Sequence, residues 1–346
     1  MAMLPVEILI AIVDHLANID DGMKSSLSVL LRVSRQFNAI ALPRLYRELI
    51  WPALGEGALA AFEKFYNTAQ TNPGIRFTTS YSFLIHQMYI FDQCFHKYFA
   101  HVLPHLVNVR RLSLALPHYR IIAPQFLWTL PPTAKLTHLT ITGLLDWDGF
   151  LRFTASCPTL EFIVIQTEQT GQTALTNSRL PKLQSLETNA ANLLLFEDMN
   201  SLENLSTSGV WSASTVEHVV HNFPALRTLW LDGAERHAAI TLIPQYPNLD
   251  YLALGYNSVP ETLDTTWLSR SKLAYIYFGE AHDRDPFVGA SRRIFSAVKS
   301  LVFFDSYGVR TCKDGSTSTI DLFIQNHEWS GWWEDVQRDI ERAARS

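Results

Sequence analysis

The sequence predicts an α/β chain in which three short N-terminal helices lead into a solenoid: a curved parallel sheet with outer helices and loops. Three observations predict this. An apolar pattern, L-x-x-L-x-L with apolar substitutions, recurs nine times from Val109 to Phe303 at steps of 19 to 27 residues. A fixed short period means that each unit buries its apolar face only against its neighbours. The first fifty residues lack this pattern and carry helical periodicity instead. Hydrophobic residues make up 47% and charged residues 18% of the 346, which is ample material for a core.

The N-terminal elements follow from local signals. Leu4-Pro5 opens a helix, with Pro near the first turn where its missing N–H costs least. Ile8, Leu9, Ile12, Val13 and Leu16 recur on one side, with Glu7 and Asp14 off it. Asn18 to Gly22 reads as a break. A second helix is expected from Lys24 to Val33, and a third from Ser34 to Leu42, ended by Pro43. Three short helices cannot bury a full core alone. Residues 51–108 are expected to hold one or two degenerate repeats, with helical stretches at Glu56 to Thr71 and Asp92 to Val102 and a strand at Tyr81 to Ile85.

The repeats proper, residues 109–306, read Val109-Leu112-Leu114, Leu136-Leu139-Ile141, Leu160-Ile163-Ile165, Leu183-Leu186-Thr188 and Leu202-Leu205-Thr207. They continue as Leu226-Leu229-Leu231, Leu249-Leu252-Leu254, Leu273-Ile276-Phe278 and Val298-Leu301-Phe303. Outer helices are expected at Asp146 to Cys157, Ser212 to Asn222, Glu235 to Ile243 and Glu261 to Ser269. In the second of these, Ser214 and Glu217 have capping-box spacing. The 19-residue step between the fourth and fifth repeats predicts a bare loop. Side chains alternate along a strand, so residues between the core positions share the concave face. This face is polar in the middle and aromatic towards the C-terminus, where Trp230, Tyr251, Tyr275, Tyr277 and Phe304 form a candidate substrate-binding patch. The alternative is that the tail, with Trp329, Trp332 and Trp333, folds back over it. Residues 307–346 lose the pattern and are expected to form a C-terminal cap with a helix from Gly331 to Ala344.

The period and pattern are those of leucine-rich repeats. The first 48 residues resemble an F-box: Leu4-Pro5-x-Glu7-Ile8-Leu9-x-x-Ile12-x-x-x-Leu16, then Leu31-Arg32-Val33-Ser34-Arg35-x-Phe37-Asn38, then Leu45-Tyr46-Arg47-Glu48-Leu49. The order of these segments, followed by repeats, is similar to fungal F-box/leucine-rich-repeat proteins. Asn18 to Ser26 departs from the pattern by lengthening the first loop. The resemblance implies a domain division of F-box 1–50, connecting repeats 51–108, repeats 109–306 and cap 307–346. It also implies binding to a Skp-type adaptor, and through it to a cullin–RING ubiquitin ligase, with the repeats as substrate receptor. The implied adaptor-binding residues are Leu4, Pro5, Ile8, Leu9, Ile12, Val33 and Ser34. The alternative is a non-degradative interaction scaffold.

Composition narrows the remaining classes. The formal net charge is −5 and no Lys/Arg run occurs, which argues against nucleic acid or an anionic membrane as the main partner. Cys94, Cys157 and Cys312 are odd in number and far apart, the usage of a reduced intracellular protein, cytoplasmic or nuclear. No run of about 20 apolar residues predicts a membrane span. The start of the chain is a poor signal peptide, so the Asn204-Leu-Ser206 acceptor pattern carries no weight. Cys94, His96, His101 and His105 are the densest ligand-type cluster, and His218 and His221 the next. His101 and His105 are four apart, but Pro104 disturbs that helix, and His218 and His221 lack the H-E-x-x-H spacing, so neither is expected to hold a metal. No phosphate loop or nucleophile motif is present. The expectation is a non-enzymatic protein without cofactor or metal, whose partner enzymes do any chemistry.

Overall fold

The structure is a computed structural model. It describes residues 5–18, 24–53, 64–85, 101–115, 121–122, 127, 129–166, 173–232, 236–255, 268, 272–278, 290–306, 309–313, 316–319, 338 and 342. The chain divides into two compact units, Met1–Leu160 and Glu161–Ser346.

The first unit begins with three helices, α1 Val6–Asn18, α2 Lys24–Val33 and α3 Arg35–Arg47. Val13, Leu27 and Ala41 form their small common core, with Leu16, Leu30, Leu31, Phe37, Ile40 and Leu45 packed around it. Ser34 separates α2 from α3 in extended backbone, and its hydroxyl accepts from the Phe37 amide at 3.2 Å, capping α3. Arg44 on α3 reaches Asp14 on α1 at 2.8 Å. The expected stop at Pro43 is corrected: α3 runs through it to Arg47. Pro43 removes the hydrogen bond to Ala39, which is exposed, so water can take that carbonyl and the lost bond costs less than in a core.

Parallel strands Glu48–Ala53, Ser80–Ile85, Arg111–Ala115 and His138–Thr142 follow. Their register aligns Leu49, Tyr81, Leu112 and Leu139 in one row. Two strands therefore precede the nine sequence repeats, and the first starts at Glu48, so a boundary at residue 50 falls inside a strand. The helix expected over Glu56 to Thr71 is described only for 64–69. That of Asp92 to Val102 lies almost wholly outside the described residues.

The second unit stacks Phe162–Ile165, Ser185–Asn189, Asn204–Ser208, Thr228–Asp232, Tyr251–Leu254, Tyr275–Phe278 and Phe303–Ser306 in parallel. Ile163, Leu186, Leu205, Leu229, Leu252 and Ile276 share one row, as the repeat pattern predicts. One backbone carbonyl per repeat accepts two amides of the next. Glu161 takes Gln184 and Ser185, Glu203 takes Arg227 and Thr228, and Asp250 takes Ala274 and Tyr275. This shared bond closes each step and fixes the register independently of side chains.

Two repeats carry Thr where most others carry an apolar residue. Thr188 and Thr207 are buried, which needs partners. The Thr188 hydroxyl donates to the Ile165 carbonyl at 2.9 Å and accepts from Asn192 at 3.0 Å. Thr207 accepts from the Trp211 indole N–H at 3.2 Å. The step expected to be a bare loop holds a 3-10 helix, Ala190–Leu195, capped by the Asn189 side chain. A 3-10 turn climbs faster per residue than an α-helix, so it fits the short step. The outer helices Trp147–Ala155, Ala213–Asn222 and Arg236–Leu242 stand where expected. Ser212, not Ser214, caps the second, accepting from the Thr215 amide at 3.1 Å. The Glu261 to Ser269 helix lies outside the described residues apart from Leu268.

The ninth repeat is shifted. Helix Ala290–Ala297 lengthens the step, and Ala274 takes the amides of Val302 and Phe303. Leu301, not Val298, is therefore the first position of the repeat, and Phe304 pairs with Ile276 in the core row. Beyond it the sheet closes with antiparallel strands Val309–Cys312 and Thr317–Thr319. The expected terminal helix lies outside the described residues apart from Arg338 and Arg342. Among the described residues, no helix is long and apolar enough to cross a membrane.

Candidate recognition surfaces

Helix α1 is apolar over more than half its circumference. Leu9 and Val13, one turn apart, form its buried stripe, and Leu9 is only 4% exposed. At 100° per residue, Ile8 and Ile12 flank that stripe on one side, Val6 and Ile10 on the other. All four are exposed, Ile8 at 47% and Ile12 at 38%. On α2, Val29 and Val33 are one turn apart and exposed, Val33 at 59%. Large apolar side chains left in water on adjacent helices mark an interaction surface more often than an accident. Of the residues that the F-box resemblance implies, Pro5, Ile8, Ile12, Val33 and Ser34 are exposed, Leu9 is buried as a support, and Leu4 lies outside the described residues. Val6, Ile10 and Val29 are additions. The i, i+4 spacing of Val6 and Ile10 was visible in sequence, but which side of the helix stayed uncovered was not.

The aromatic patch is placed differently from its sequence reading. Tyr275 is 0% exposed, Tyr277 is buried, and Ala253 and Phe303 join them in one cluster, with Trp230, Tyr251, Val302 and Cys312 partly buried around it. Trp230 and Tyr277 rings lie 6.0 Å apart. Phe303, not Phe304, holds the row position beside Tyr275, a correction that follows from the three-residue register shift. Of the five candidates, Trp230 and Tyr251 keep accessible surface, whereas Tyr275 and Tyr277 are packing residues.

A buried polar group sits in the same rows. Asp305 is inaccessible to solvent. It accepts from the Tyr275 hydroxyl at 2.7 Å and from Arg310 Nη2 at 2.9 Å. The Arg310 guanidinium also lies 4.8 Å over the Phe303 ring. Burial, then the Asp305 carboxylate, raises the Tyr275 hydroxyl well above its ordinary 10.0, and Arg310 opposes that shift. This reads as a fully partnered structural network. No sequence signal could have joined Tyr275 to Asp305 and Arg310, because the pairing depends on the shifted register and an antiparallel return.

The described histidines do not converge. Among the described residues, no group of three or more His, Cys, Asp or Glu could hold a metal ion. His101 is exposed and packs edge-on against Tyr66. Cys94 and His96 lie outside the described residues. His218 Nε2 meets the Phe196 carbonyl at 2.8 Å, a bond that ties its helix to the preceding turn. Cys157 and Cys312 are free thiols, and burial raises the Cys157 thiol.

No family model matches the chain, and no curated protein matches it. A solved structure that matches is the crystal structure of a TLR13–ssRNA13 complex, at 14% identity and a TM-score of 0.36. The match covers 66% of this chain and 42% of that one, so this chain spans less than half the length of its match. The repeat architecture rests on the strand register, not on that likeness.

Proposed function

We propose that the chain is a non-catalytic recognition subunit: its N-terminal helices dock on a Skp-type adaptor, and its repeats hold a target protein for a cullin–RING ubiquitin ligase. The observation that carries this reading is the exposed apolar flank of α1 and α2, at Ile8, Ile12 and Val33, three positions that the F-box resemblance assigns to the adaptor. A helical segment that leaves such residues in water is incomplete until a partner covers them. Trp230 and Tyr251 are the candidate contacts to the target, with the ligase's other subunits supplying ubiquitin transfer. The setting is intracellular.

The test is co-purification of the full chain with a recombinant Skp-type adaptor. Ile8→Asp with Ile12→Asp should weaken binding by roughly 30-fold or more, the scale for losing central apolar anchors, while the melting temperature stays near that of the parent. Full retention of the adaptor by this variant would overturn the reading. Binding without ubiquitylation of any co-purifying protein, in a reconstituted ligase, would favour a scaffold.

A further inference from the structure

The repeat period gathers charges that the sequence scatters. In the N-terminal unit the strand starts follow one another through the backbone. The Thr79 amide donates to the Arg47 carbonyl at 2.9 Å, Arg110 to Thr79 at 2.8 Å, and Thr137 to Arg110 at 2.8 Å. The next row is Glu48, Ser80, Arg111 and His138. Arg47, Arg110 and Arg111 are exposed, and none of them makes an ion pair among the described residues. Lys135 and Arg76, two or three residues before Thr137 and Thr79, are also exposed. The one acid in the two rows is Glu48. Arg44, by contrast, is paired with Asp14. The hydroxyls of Thr79 and Thr137 donate back to the Arg47 and Arg110 carbonyls, each at 3.2 Å, and hold the line in place. In the C-terminal unit the equivalent positions are Glu161, Gln184, Glu203, Arg227 and Asp250, and Arg227 is tied to Asp250. Among the described residues, the cationic line without ion pairs therefore belongs to the N-terminal unit.

We propose that the line formed by Arg47, Arg110 and Arg111 docks an acidic, extended stretch of a protein partner. Neighbouring strands lie about 4.8 Å apart, so Arg47 and Arg110, two strands apart, are separated by about 10 Å. Three residues of chain in the polyproline-II conformation make one turn, rise about 9 Å and return to the same face, which matches carboxylates at every third position to successive guanidinium groups. Arg offers a fork that fits a carboxylate with two hydrogen bonds. Ser82, Ser113 and Thr140, two residues on from Ser80, Arg111 and His138, bring further hydroxyls to the face that carries Arg111. Single-stranded nucleic acid fits less well, because these rows hold no Phe, Tyr or Trp for base stacking and only the His138 ring. The inference does not depend on the adaptor reading.

The test uses the full chain and a fluorescein-labelled peptide of about twelve residues, four repeats of Glu-Gly-Ser, in fluorescence anisotropy at roughly 50 mM salt. The same peptide with Gln for Glu and a thymidine oligonucleotide of equal length are the comparison probes. The Glu peptide should bind at least about tenfold tighter than the Gln peptide. Arg47→Gln with Arg110→Gln and Arg111→Gln should weaken it by about tenfold or more, and each single change by about two- to fivefold, as three exposed ion pairs allow. Arg227→Gln should change nothing, and adaptor binding should survive the triple change. If the triple variant does not fold, the single variants decide. Equal binding of the Glu and Gln peptides, or arginine variants that bind the Glu peptide as the parent does, would overturn the proposal. So would an oligonucleotide bound tighter than the peptide and lost with the same arginines.

Discussion

The three-helix segment and the repeat rows handle apolar residues in opposite ways. In the rows, Leu112, Leu139, Ile163, Leu186, Leu205, Leu229, Leu252 and Ile276 are all buried, because each repeat covers its neighbour. In the helices Val6, Ile8, Ile10, Ile12, Val29 and Val33 stay exposed around a core of three fully buried side chains. Apolar sequence alone therefore does not mean core. A repeat guarantees a covering neighbour, and a lone trio of helices does not. The helices are unfinished by the measure that the repeats satisfy.

The largest effect should separate these two regions by the same chemistry. Ile276→Ala removes buried methyl groups and should cost about 2–5 kcal/mol in unfolding free energy. Ile8→Ala removes the same groups from water-exposed positions and should cost within about 0.5 kcal/mol, yet lose adaptor. Thermal or urea unfolding of the two variants checks this. An Ile8→Ala chain that melts as early as Ile276→Ala would erase the distinction.

Next is the buried acid. Asp305→Asn keeps the shape but removes the carboxylate charge that faces Arg310, itself mostly buried, and breaking a buried pair costs about 3 kcal/mol. An effect near zero, measured by denaturant unfolding, would mean that water reaches this face. The tyrosines extend the same point to pH. Burial raises the hydroxyls of Tyr81, Tyr246 and Tyr275 above their ordinary 10.0. Above pH 10 the unfolded chain releases these protons and the folded chain keeps them, so the unfolded state binds fewer and stability falls as pH rises. Below pH 10 their contribution is fully present. Urea midpoints should hold from pH 8 to pH 9.5 and drop above about pH 10. Tyr246→Phe, which loses its 2.8 Å bond to the Val219 carbonyl, should start lower and fall less steeply.

Much of this was legible in the sequence. The apolar period placed eight of the nine repeats in their true register, because each apolar position must meet its neighbour's. It failed at the last, where Val298-Leu301-Phe303 and Leu301-x-x-Phe304 both satisfy the pattern and only the length of helix Ala290–Ala297 decides between them. Pro43 misled for a related reason: a local helix-breaking rule ignores that the residue losing its bond faces water. The exposed flank of α1 was half legible, since periodicity gives the apolar arc but not how much of it neighbours cover. The burial of Tyr275 and its link to Asp305 depend on strands more than two dozen residues apart, and no local signal encodes them. The arginine line was hidden for the same reason, as Arg47 and Arg110 are 63 residues apart in sequence.

A subtler contrast lies within the repeats. Thr188 and Thr207 fill apolar positions and are buried, and each is partnered. Thr188→Val keeps the shape but removes the hydroxyl to which the buried Asn192 amide donates, and should cost about 1–3 kcal/mol. Thr188→Val with Asn192→Leu removes both polar groups and should recover part of that loss. A single variant as stable as the parent would show that the hydroxyl is not needed to satisfy Asn192.

The smallest effect compares one local device in the two regions. Ser34 caps α3 and Ser212 caps Ala213–Asn222, with hydroxyl-to-amide bonds of 3.2 and 3.1 Å. Each serine replaced by alanine should cost about 1 kcal/mol of helix stability. The surroundings then decide where that loss appears. Ala213–Asn222 buries Val216 and Val219 against its unit, so Ser212→Ala should lower the global melt slightly and leave local exchange in step with it. Helix α3 belongs to a segment with a small core, which opens by local unfolding before the rest. Ser34→Ala should therefore leave the global melt almost unchanged and speed amide hydrogen exchange in α2 and α3 by about fivefold. Adaptor should reverse that acceleration by covering the open face. Equal exchange in parent and Ser34→Ala chains would mean that the helices are as stable as the repeats and need no partner to finish them.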